Sequence, residues 1–298
     1  MKRTKRVLGL ALAAVMCMGL LAGCGGSPSN SDTADETSGT ETSEKVLNIA
    51  TIGETTTLSP LYMIADNRPT QKLLYEGLVK YVDGEIQPVL AEDWELSEDG
   101  TQLTFYLRQG VTFHDGEPFN AEAAIANIES WHINPSFASL PGVVNYTNIE
   151  AVDEYTIRLT YDTPYFAYIN DFCWPDVCTM ISPKLITQGD FQTVNGYAGT
   201  GPYIYDEYVA GQYTTFVRNE NYWGEQPYYD KIVAKYIPDN ASRVQALQTG
   251  EIDLIYGSAE LSYEDYNQAT AIEGIEGKFA PSGSTIRNII LNFNGNLA

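Results

Sequence analysis

The sequence predicts an α/β fold that is interrupted by a β-rich insertion. Near the start, the apolar run "KVLNIATIG" (45–53) is typical of a buried strand, and "NRPTQKLLYEGLVKY" (67–81) places leucines at helical spacing. Late in the chain the α/β pattern resumes: "DKIVAKYIP" (230–238) is predicted to be a strand, "NASRVQALQTG" (240–250) a helix and "IDLIYG" (252–257) a strand. Between these two regions the chain carries short alternating runs and frequent turns, which favour antiparallel hairpins.

The middle region is predicted to hold mainly antiparallel sheet with one or two helices. Its expected elements, in order, are a hairpin turning at Glu98-Asp99-Gly100, a helix over 117–132 with Asn120 as N-cap, a hairpin over 149–161, and two strands turning at Ala210-Gly211. Later in the chain, Gly250 is the expected stop of the helix over 240–250, and a last strand is predicted over 285–294.

The N-terminus has the pattern of an export signal. Four basic residues within the first six positions precede an apolar run over 7–23 that stops at Cys24. The end of that run, "LAGC" (21–24), resembles the lipobox of bacterial lipoproteins, which implies lipid modification of Cys24. An uncleaved anchor helix is the alternative, and both interpretations place the protein outside the cytoplasm.

Residues 25–44 are predicted to form a disordered acidic linker rich in Ser and Thr. They contain five acidic residues and no large apolar side chain, so they cannot bury enough surface to offset chain entropy. Cleavage of the signal would remove four positive charges and change the formal net charge from −22 to −26. Such an acidic chain is not expected to bind nucleic acid or an anionic membrane surface, so its membrane contact would be the lipid anchor.

No catalytic motif or cofactor fingerprint stands out, so neither an enzyme nor a cofactor is predicted. The sequence has no G-x-S-x-G, H-E-x-x-H, P-loop or complete dinucleotide motif. His114 is expected to bond locally within its turn, and His132 to close a helix. Pairs of acidic residues lie beside the hairpin turns. They leave a glycosidase as an open alternative, but no one pair stands out as a catalytic pair.

Cys173 and Cys178, in "NDFCWPDVCTM" (170–180), have four residues between them. That spacing differs from the two-residue spacing of thiol oxidoreductases and zinc knuckles, and no second pair of ligands lies nearby, so no metal site is predicted. Outside the cytoplasm, a disulfide that closes this small loop is the leading interpretation, and two free, half-buried thiols are the next.

The sequence resembles the peptide/nickel family of ABC-importer solute-binding proteins, also called solute-binding protein family 5. The stretches that carry the resemblance occur in the family's order and are distributed over nearly all of the range 45–294. They are "YEGLVKY" (75–81), "PVLAEDWELSEDGTQLTFYLRQGVTFHDGEPFNAEA" (88–123), "ISPKLI" (181–186), "GTGPY" (199–203), "VRNENYWGEQP" (217–227), "IPDNASRVQALQTGEIDLIYG" (237–257) and "IILNFN" (289–294).

The resemblance implies a periplasmic-binding-protein-like lobe of type II, family 5. Residues 45–81 and 228–298 would form the two parts of a discontinuous first lobe, and 82–227 the β-rich subdomain inserted in it. In the family a second lobe closes over the ligand. Here the chain stops directly after an apolar strand, so the second lobe is expected to be missing and the chain to be truncated.

The implied function is capture of a small solute, most readily a peptide, for the permease of an ABC importer, by a monomer anchored through Cys24. The sequences of the stretches "RNENYWGE" (218–225) and 237–257 are most similar to the nickel-chelate branch of the family. Binding of a nickel or other metal chelate is therefore the alternative within the family. A secreted hydrolase and a ligand sensor are more distant alternatives.

Candidate ligand contacts are carried over by position from the family. They are Leu61, Tyr62, Met63, Arg68, Trp174, Asp176, Tyr256 and Gly257. Nickel-chelate members place an arginine where this chain has Asp176, and the reversed charge favours a cationic or amine-bearing ligand. The stretch over 170–180 is therefore expected to form pocket wall.

Overall fold

The computed structural model describes residues 44–61, 68–174, 178–186, 196–258, 261–279 and 287–292. Cys24, the linker up to residue 43, and the candidate ligand residues Tyr62, Met63 and Asp176 lie outside these ranges. Within them, no helix is both long and apolar enough to cross a bilayer.

Strands dominate the described part of the chain. They are β1 (Val46–Thr51), β2 (Val79–Val82), β3 (Glu85–Pro88), β4 (Ala91–Leu96), β5 (Gln102–Leu107), β6 (Tyr146–Asp153), β7 (Thr156–Tyr161), β8 (Tyr203–Val209), β9 (Tyr213–Arg218), β10 (Lys231–Tyr236), β11 (Leu254–Ser258), β12 (Ile275–Phe279) and β13 (Arg287–Asn292). The helices are α1 (Arg68–Leu74), α2 (Ala121–His132), α3 (Pro141–Val144), α4 (Tyr168–Phe172), α5 (Asn240–Thr249) and α6 (Tyr263–Thr270).

A seven-stranded mixed sheet forms the α/β part, in the order β12-β13-β11-β1-β10-β9-β8. Strand β1 lies at its centre and runs parallel to both β10 and β11, while the outer pairs are antiparallel. The return of the chain to this sheet late in the sequence was predicted from the apolar runs over 230–238 and 252–257. The α/β lobe is therefore assembled from distant chain segments.

The predicted boundary of the insertion is wrong at its C-terminal end. Strands β8 and β9 fall within the predicted insertion 82–227, yet they extend the large sheet through pairing of β9 with β10. Phe216 and Ile232 lie opposite each other in that pairing and both are buried. Strands that follow one another closely in sequence usually pair, and here burial of a shared apolar face accompanies that pairing.

The inserted part is a four-stranded antiparallel sheet, in the order β4-β5-β7-β6, with α2 against one face. In its central strands, β5 and β7, buried side chains alternate with partly buried or exposed ones, and Phe105 and Leu159 are fully buried. Both hairpins predicted here are confirmed, as is the N-cap of α2, where Asn120 Oδ1 accepts from the Ala123 amide at 3.0 Å. Gly250 ends α5 in the left-handed conformation, as predicted, with φ of 72°.

Helix α1 is shorter than the apolar spacing over 67–81 suggests. It ends at Leu74, and β2 then pairs with β3 as a separate two-stranded hairpin. Between them, Gly77 forms an antiparallel bridge with Thr179. A Cβ at Gly77 would lie 2.7 Å from the Cys178 carbonyl oxygen, so only glycine permits this approach. The approach brings α1 beside the cysteine stretch.

Candidate functional site

The Glu76 carboxylate joins three distant segments beside this bridge. Its Oε2 accepts hydrogen bonds from Trp223 Nε1 at 2.7 Å and from Thr200 Oγ1 at 3.0 Å, and its Oε1 accepts one from the Tyr222 hydroxyl at 2.8 Å. Desolvation raises the pKa of Glu76, and the three donors act against that rise. Because both oxygens are occupied by protein donors, Glu76 acts as a structural acceptor.

His114 holds the "GTGPY" stretch against the same region. Its Nε2 lies 2.9 Å from the Gly201 carbonyl oxygen, while its Nδ1 accepts from the Gly199 amide at 3.3 Å. This pair of bonds requires the neutral ring protonated at Nε2, and burial lowers the pKa of His114. The expectation that the His114 ring bonds locally within its turn is therefore wrong, since these partners lie more than 80 residues away.

Next to Glu76 lies a cavity of about 270 Å³, which we call the Trp174 pocket. Trp174 is 46% exposed, and Cys178 lies on the same wall. The described residues that line it are Lys72, Tyr75, Glu76, Gly77, Val79, Lys80, Tyr81, Val82, Val89, Trp174, Cys178 and Thr179. Trp174, Cys178 and Thr179 of the stretch over 170–180 thus line this cavity, and its role as wall of the ligand site stays a prediction.

Cys178 of that wall and Cys173 before it are free, buried thiols, so the disulfide predicted as the leading interpretation is absent from the structure. Each thiol turns back toward α4: Cys173 Sγ donates to the Ile169 carbonyl at 3.4 Å, and Cys178 Sγ donates to the Asp171 carbonyl at 3.3 Å. Burial raises the pKa of Cys173 to about 11 and that of Cys178 well above its usual value. Thiols of such high pKa are poor nucleophiles at neutral pH.

Trp174, Cys178 and Met180 are each held by a backbone hydrogen bond. The Trp174 amide donates to the Asp171 carbonyl, and the Cys178 amide donates to the Trp174 carbonyl, both at 3.4 Å. The Met180 amide then donates to the Glu76 carbonyl at 2.8 Å. These bonds tie Trp174 to the end of α4 and Met180 to Glu76.

Leu61 and Tyr256, the other sequence-predicted contacts whose side chains the structure describes, do not line this pocket. Tyr256 is half-buried in β11 and Gly257 pairs with Asn288 in β13, and neither is among the described lining residues. Arg68 begins α1. Leu61 is buried, and its carbonyl accepts from Asn134 Nδ2 at 3.1 Å. Of the candidate ligand contacts whose side chains the structure describes, Trp174 alone lines the pocket.

Sequence reasoning missed Glu76, Lys72 and Lys80 as site residues. One signal for Glu76 was present, because it interrupts the apolar run from Leu73 to Val79. An acidic residue inside a run that folds into the core needs hydrogen-bond donors there. For metal binding, the described residues contain no group of three or more His, Cys, Asp or Glu side chains suited to hold an ion.

The family model of the bacterial extracellular solute-binding proteins, family 5, middle region, matches residues 85–297. The nickel-binding periplasmic protein of Escherichia coli K12 is 38% identical over 209 residues, which are 68% of this chain and 40% of that protein. The glutathione-binding protein GsiB of Pectobacterium atrosepticum is 34% identical, over 70% of this chain and 41% of that protein.

Solved structures show the same fold. NikA from Brucella suis in complex with Fe(III)-EDTA is 32% identical, with a TM-score of 0.74 over 80% of this chain and 49% of that one. DppA from Helicobacter pylori in complex with the peptide STSA is 26% identical, with a TM-score of 0.68 over 79% and 50%. The chain spans half or less of the length of these relatives. It belongs to the family 5 bacterial extracellular solute-binding proteins of ABC importers.

Proposed function

We propose that this chain provides one wall of the ligand site in an extracytoplasmic binding protein that captures a small solute for an ABC-importer permease. The observation that carries the proposal is the Trp174 pocket, in which a half-exposed tryptophan stands over a largely apolar cavity. Aromatic rings at such a wall give large contact area with little conformational freedom to lose.

The mechanism needs binding and closure, without covalent chemistry. A ligand held between two lobes contributes its full free energy only in the closed state, so it shifts a hinge equilibrium toward closure. The bonds of Glu76 and His114 would keep this wall rigid during that motion. Since the permease would recognise the closed form, capture and delivery follow from one conformational equilibrium.

A peptide is the ligand class that we favour. Two relatives support it: the GsiB protein is named for glutathione, a tripeptide, and the DppA structure holds the peptide STSA. Asp176 adds a sequence argument, because its negative charge suits the amino group of a peptide and opposes an anionic chelate.

A metal chelate is the second candidate. It is supported by the 38% identity to the Escherichia coli nickel-binding protein and by the Fe(III)-EDTA complex of NikA. Asp176 counts against it, since the resemblance places an arginine there in nickel-chelate members. Such a ligand would bring its own donor atoms to the metal, so it does not need a cluster of protein ligands.

The N-terminal segment would keep the receptor near its transporter. We propose that Cys24 carries a lipid and that residues 25–44 act as a flexible tether to the membrane surface. The folded part would act as a monomer, and its strongly acidic composition favours solubility.

The test is a thermal-shift screen of the purified protein. A panel of di- and tripeptides that includes glutathione is compared with Ni²⁺ plus L-histidine and with Fe(III)-EDTA. A binder at 100 times its dissociation constant stabilises by about 2.7 kcal/mol, which corresponds to a rise of about 5 °C in Tm for a domain of this size.

The outcomes separate the candidates. A rise with peptides alone supports the peptide proposal, and a rise with the chelates alone replaces it with the second candidate. If neither group raises the Tm, the ligand assignment is lost. Chromatography of the peptides after incubation adds one more readout, because cleaved products would point to a secreted hydrolase and overturn a pure binding role.

A further inference from the structure

The stretch Gly199-Thr200-Gly201 is held from two sides by side chains that titrate. On one side, His114 Nδ1 accepts from the Gly199 amide at 3.3 Å, and its Nε2 donates to the Gly201 carbonyl at 2.9 Å. On the other side, Thr200 Oγ1 donates to Glu76 Oε2 at 3.0 Å. The position of this stretch therefore depends on the protonation of a histidine and of a carboxylate.

Protonation of the His114 ring would break one of its two bonds. In the neutral ring Nδ1 carries a lone pair, which accepts from the Gly199 amide. A second proton occupies that position, so Nδ1 can no longer accept and its own N–H would face the N–H of Gly199. Nε2 carries a proton in both states and keeps its bond to Gly201. The Gly199 amide is therefore the contact that depends on pH.

Glu76 can take up a proton without releasing Thr200. If Oε1 is protonated, Oε2 still accepts from Thr200 and Trp223, and the Tyr222 hydroxyl can turn to accept from Oε1. Desolvation raises the pKa of Glu76, and Lys80 acts against that rise together with the three donors. The bond between Thr200 and Glu76 is therefore compatible with both states of the carboxyl group.

The surroundings of His114 set the pH at which its ring becomes charged. Burial lowers the pKa of His114, so the ring charges below its ordinary value of about 6.5. The Nε2 bond, Asp115 in the same turn and the backbone of Tyr197 in the facing segment act in the other direction. Beside this turn, Lys184 Nζ and Glu117 Oε1 form an ion pair at 2.5 Å and so balance each other. The change is therefore expected in mild acid.

Gly199 also lies against the wall of the Trp174 pocket. A Cβ at Gly199 would overlap the Leu74 carbonyl oxygen and would lie 2.5 Å from Tyr75 Cδ1. Tyr75 lines the pocket, and among the described residues its buried hydroxyl has no hydrogen-bond partner. In a close-packed interior, a ring held by packing alone follows a shift of the backbone that touches it. A movement of Gly199 would therefore reach the pocket through Tyr75.

We propose that His114 is an acid-sensitive switch for the Trp174 pocket. With the neutral ring, the Gly199 amide is bound to Nδ1 and Tyr75 keeps its described position. When the ring takes a second proton from solvent, Nδ1 releases that amide and donates to the Tyr197 carbonyl, and Gly199 shifts against Leu74 and Tyr75. An effect on ligand capture rests on the proposed function, whereas the switch itself does not.

The switch can be observed by NMR without a ligand. When alanine carbonyls carry ¹³C and glycine amides carry ¹⁵N, a spectrum that selects Ala–Gly pairs shows only Gly23, Gly199 and Gly211. Between pH 7.5 and 5 we expect the Gly199 signal to titrate with the midpoint of the His114 ring, below about pH 6.5. Gly211 is the internal control, because its amide donates at 2.5 Å to Glu54, a carboxylate whose pKa is lowered.

A second pair of labels tests whether the change reaches the pocket. Leu–Tyr pairs occur in the sequence at 61–62 and 74–75, so ¹³C leucine carbonyls and ¹⁵N tyrosine amides report Tyr75. Leu61→Ile removes the other signal. Because the Leu74 carbonyl accepts from the Gly201 amide at 2.9 Å, the Leu74–Tyr75 peptide is bonded to the moving stretch. We expect Tyr75 to titrate with the Gly199 midpoint.

Two histidine variants assign the titration. His114→Gln keeps an N–H donor for the Gly201 carbonyl but does not titrate, so the Gly199 and Tyr75 signals should no longer follow the curve. A response that remains in this variant belongs to Glu76. The matched control is His132→Gln, which removes the other histidine of the chain, should leave both curves unchanged and identifies the His114 ring signal. If His114→Gln does not fold, the agreement of the ring and amide midpoints in the unaltered protein still decides.

Three results would overturn the inference: a Gly199 signal that does not titrate with the His114 ring, a titration that survives in His114→Gln, or a Tyr75 signal that stays fixed while Gly199 moves. None of these measurements uses a ligand, so their failure is separate from failure of the proposed function. A ligand that raises the Tm in the thermal-shift screen, together with a flat Gly199 curve, would leave the receptor proposal in place and remove only the switch.

Discussion

Trp223 Nε1 donates to Glu76 Oε2 at 2.7 Å, across 147 residues of sequence. This bond joins the "YEGLVKY" and "VRNENYWGEQP" stretches, and Arg108 stacks over the Trp223 ring at 4.4 Å from its centroid. Three of the stretches that carry the family resemblance, those over 75–81, 88–123 and 217–227, are therefore in contact with one another. Their contact lies beside the Trp174 pocket, which Glu76 lines.

Replacing Glu76 with Gln should destabilise the fold by about 1–3 kcal/mol, because the amide cannot accept from all three donors and its own NH₂ group would face them. Urea denaturation followed by circular dichroism measures this change. Glu92→Gln is the control, since Glu92 is exposed and pairs with Arg108 at 3.1 Å, so its loss should cost less than about 1 kcal/mol. Equal costs for the two variants would contradict the structural role of Glu76.

The neutral His114 ring should make stability fall in mild acid. Its pKa is lowered in the folded state, so the unfolded chain binds more protons below its ordinary value of about 6.5. The stabilisation is therefore complete above about pH 6.5 and decreases as the pH falls toward the lowered folded value. Denaturation midpoints between pH 7.5 and 5 measure the effect.

His114→Ala is the reference for that series, because Glu76 contributes in the opposite direction. The pKa of Glu76 is raised in the folded state, so its contribution is lost as the pH rises from about 4.5. The difference between the unaltered protein and His114→Ala cancels the Glu76 term. A difference that stays constant across this pH range would disprove the proposed hydrogen bonding of His114.

Gly199→Ala should destabilise the protein through a steric clash, since the new Cβ would lie 2.0 Å from the Leu74 carbonyl oxygen. We expect a cost above about 2 kcal/mol, in the range of overpacked sites. Gly110→Ala is the comparison, because Gly110 has a φ of 74° but open space around it. The cost of this substitution should therefore be only that of placing alanine in a left-handed conformation, about 1–2 kcal/mol. Tm shifts of similar size for the two variants would disprove the close approach.

The buried thiols should resist alkylation until the protein unfolds. Iodoacetamide applied to the native protein is expected to leave Cys173 and Cys178 unmodified, and both should react in urea without a reductant. Both cysteines lie between Arg158 and Lys184, so one tryptic peptide reports them by mass spectrometry. A mass about 2 Da lower, with no alkylation in urea, would show a disulfide instead.

Lipid attachment at Cys24 predicts a membrane-associated protein that becomes soluble on substitution. Expressed in a bacterial host, the unaltered chain should sediment with membranes, and Cys24→Ala should shift it out of that fraction. Cys17→Ala is the matched control, since Cys17 lies inside the apolar run and should have no effect on fractionation. Membrane association that survives in Cys24→Ala would favour the uncleaved anchor helix.

Local patterns in the sequence determined the fold class and many of the boundaries of helices and strands. The apolar run at β1, the cap at Asn120 and the stop at Gly250 each depend on neighbours within a few residues, so they could be predicted. The order of the family's motifs was a stronger signal still, because it implied a discontinuous lobe before any contact was known.

Tertiary structure alone decided which distant groups meet. Local periodicity cannot say that β9 pairs with β10, that His114 reaches Gly199 and Gly201, or that Glu76 finds its donors more than 100 residues away. These contacts depend on which apolar faces are buried together and on which buried polar groups then need partners.

The two cysteines also show what the sequence determines and what only the tertiary structure decides. Their spacing allowed either a disulfide or free thiols, and sequence alone could not choose between them. The direction of each side chain decided it, because each Sγ turns to a carbonyl of the α4 segment. The sequence by itself therefore determined the fold class, the export pattern and the family. The geometry of the Trp174 pocket came only from the packing of segments that are far apart in the chain.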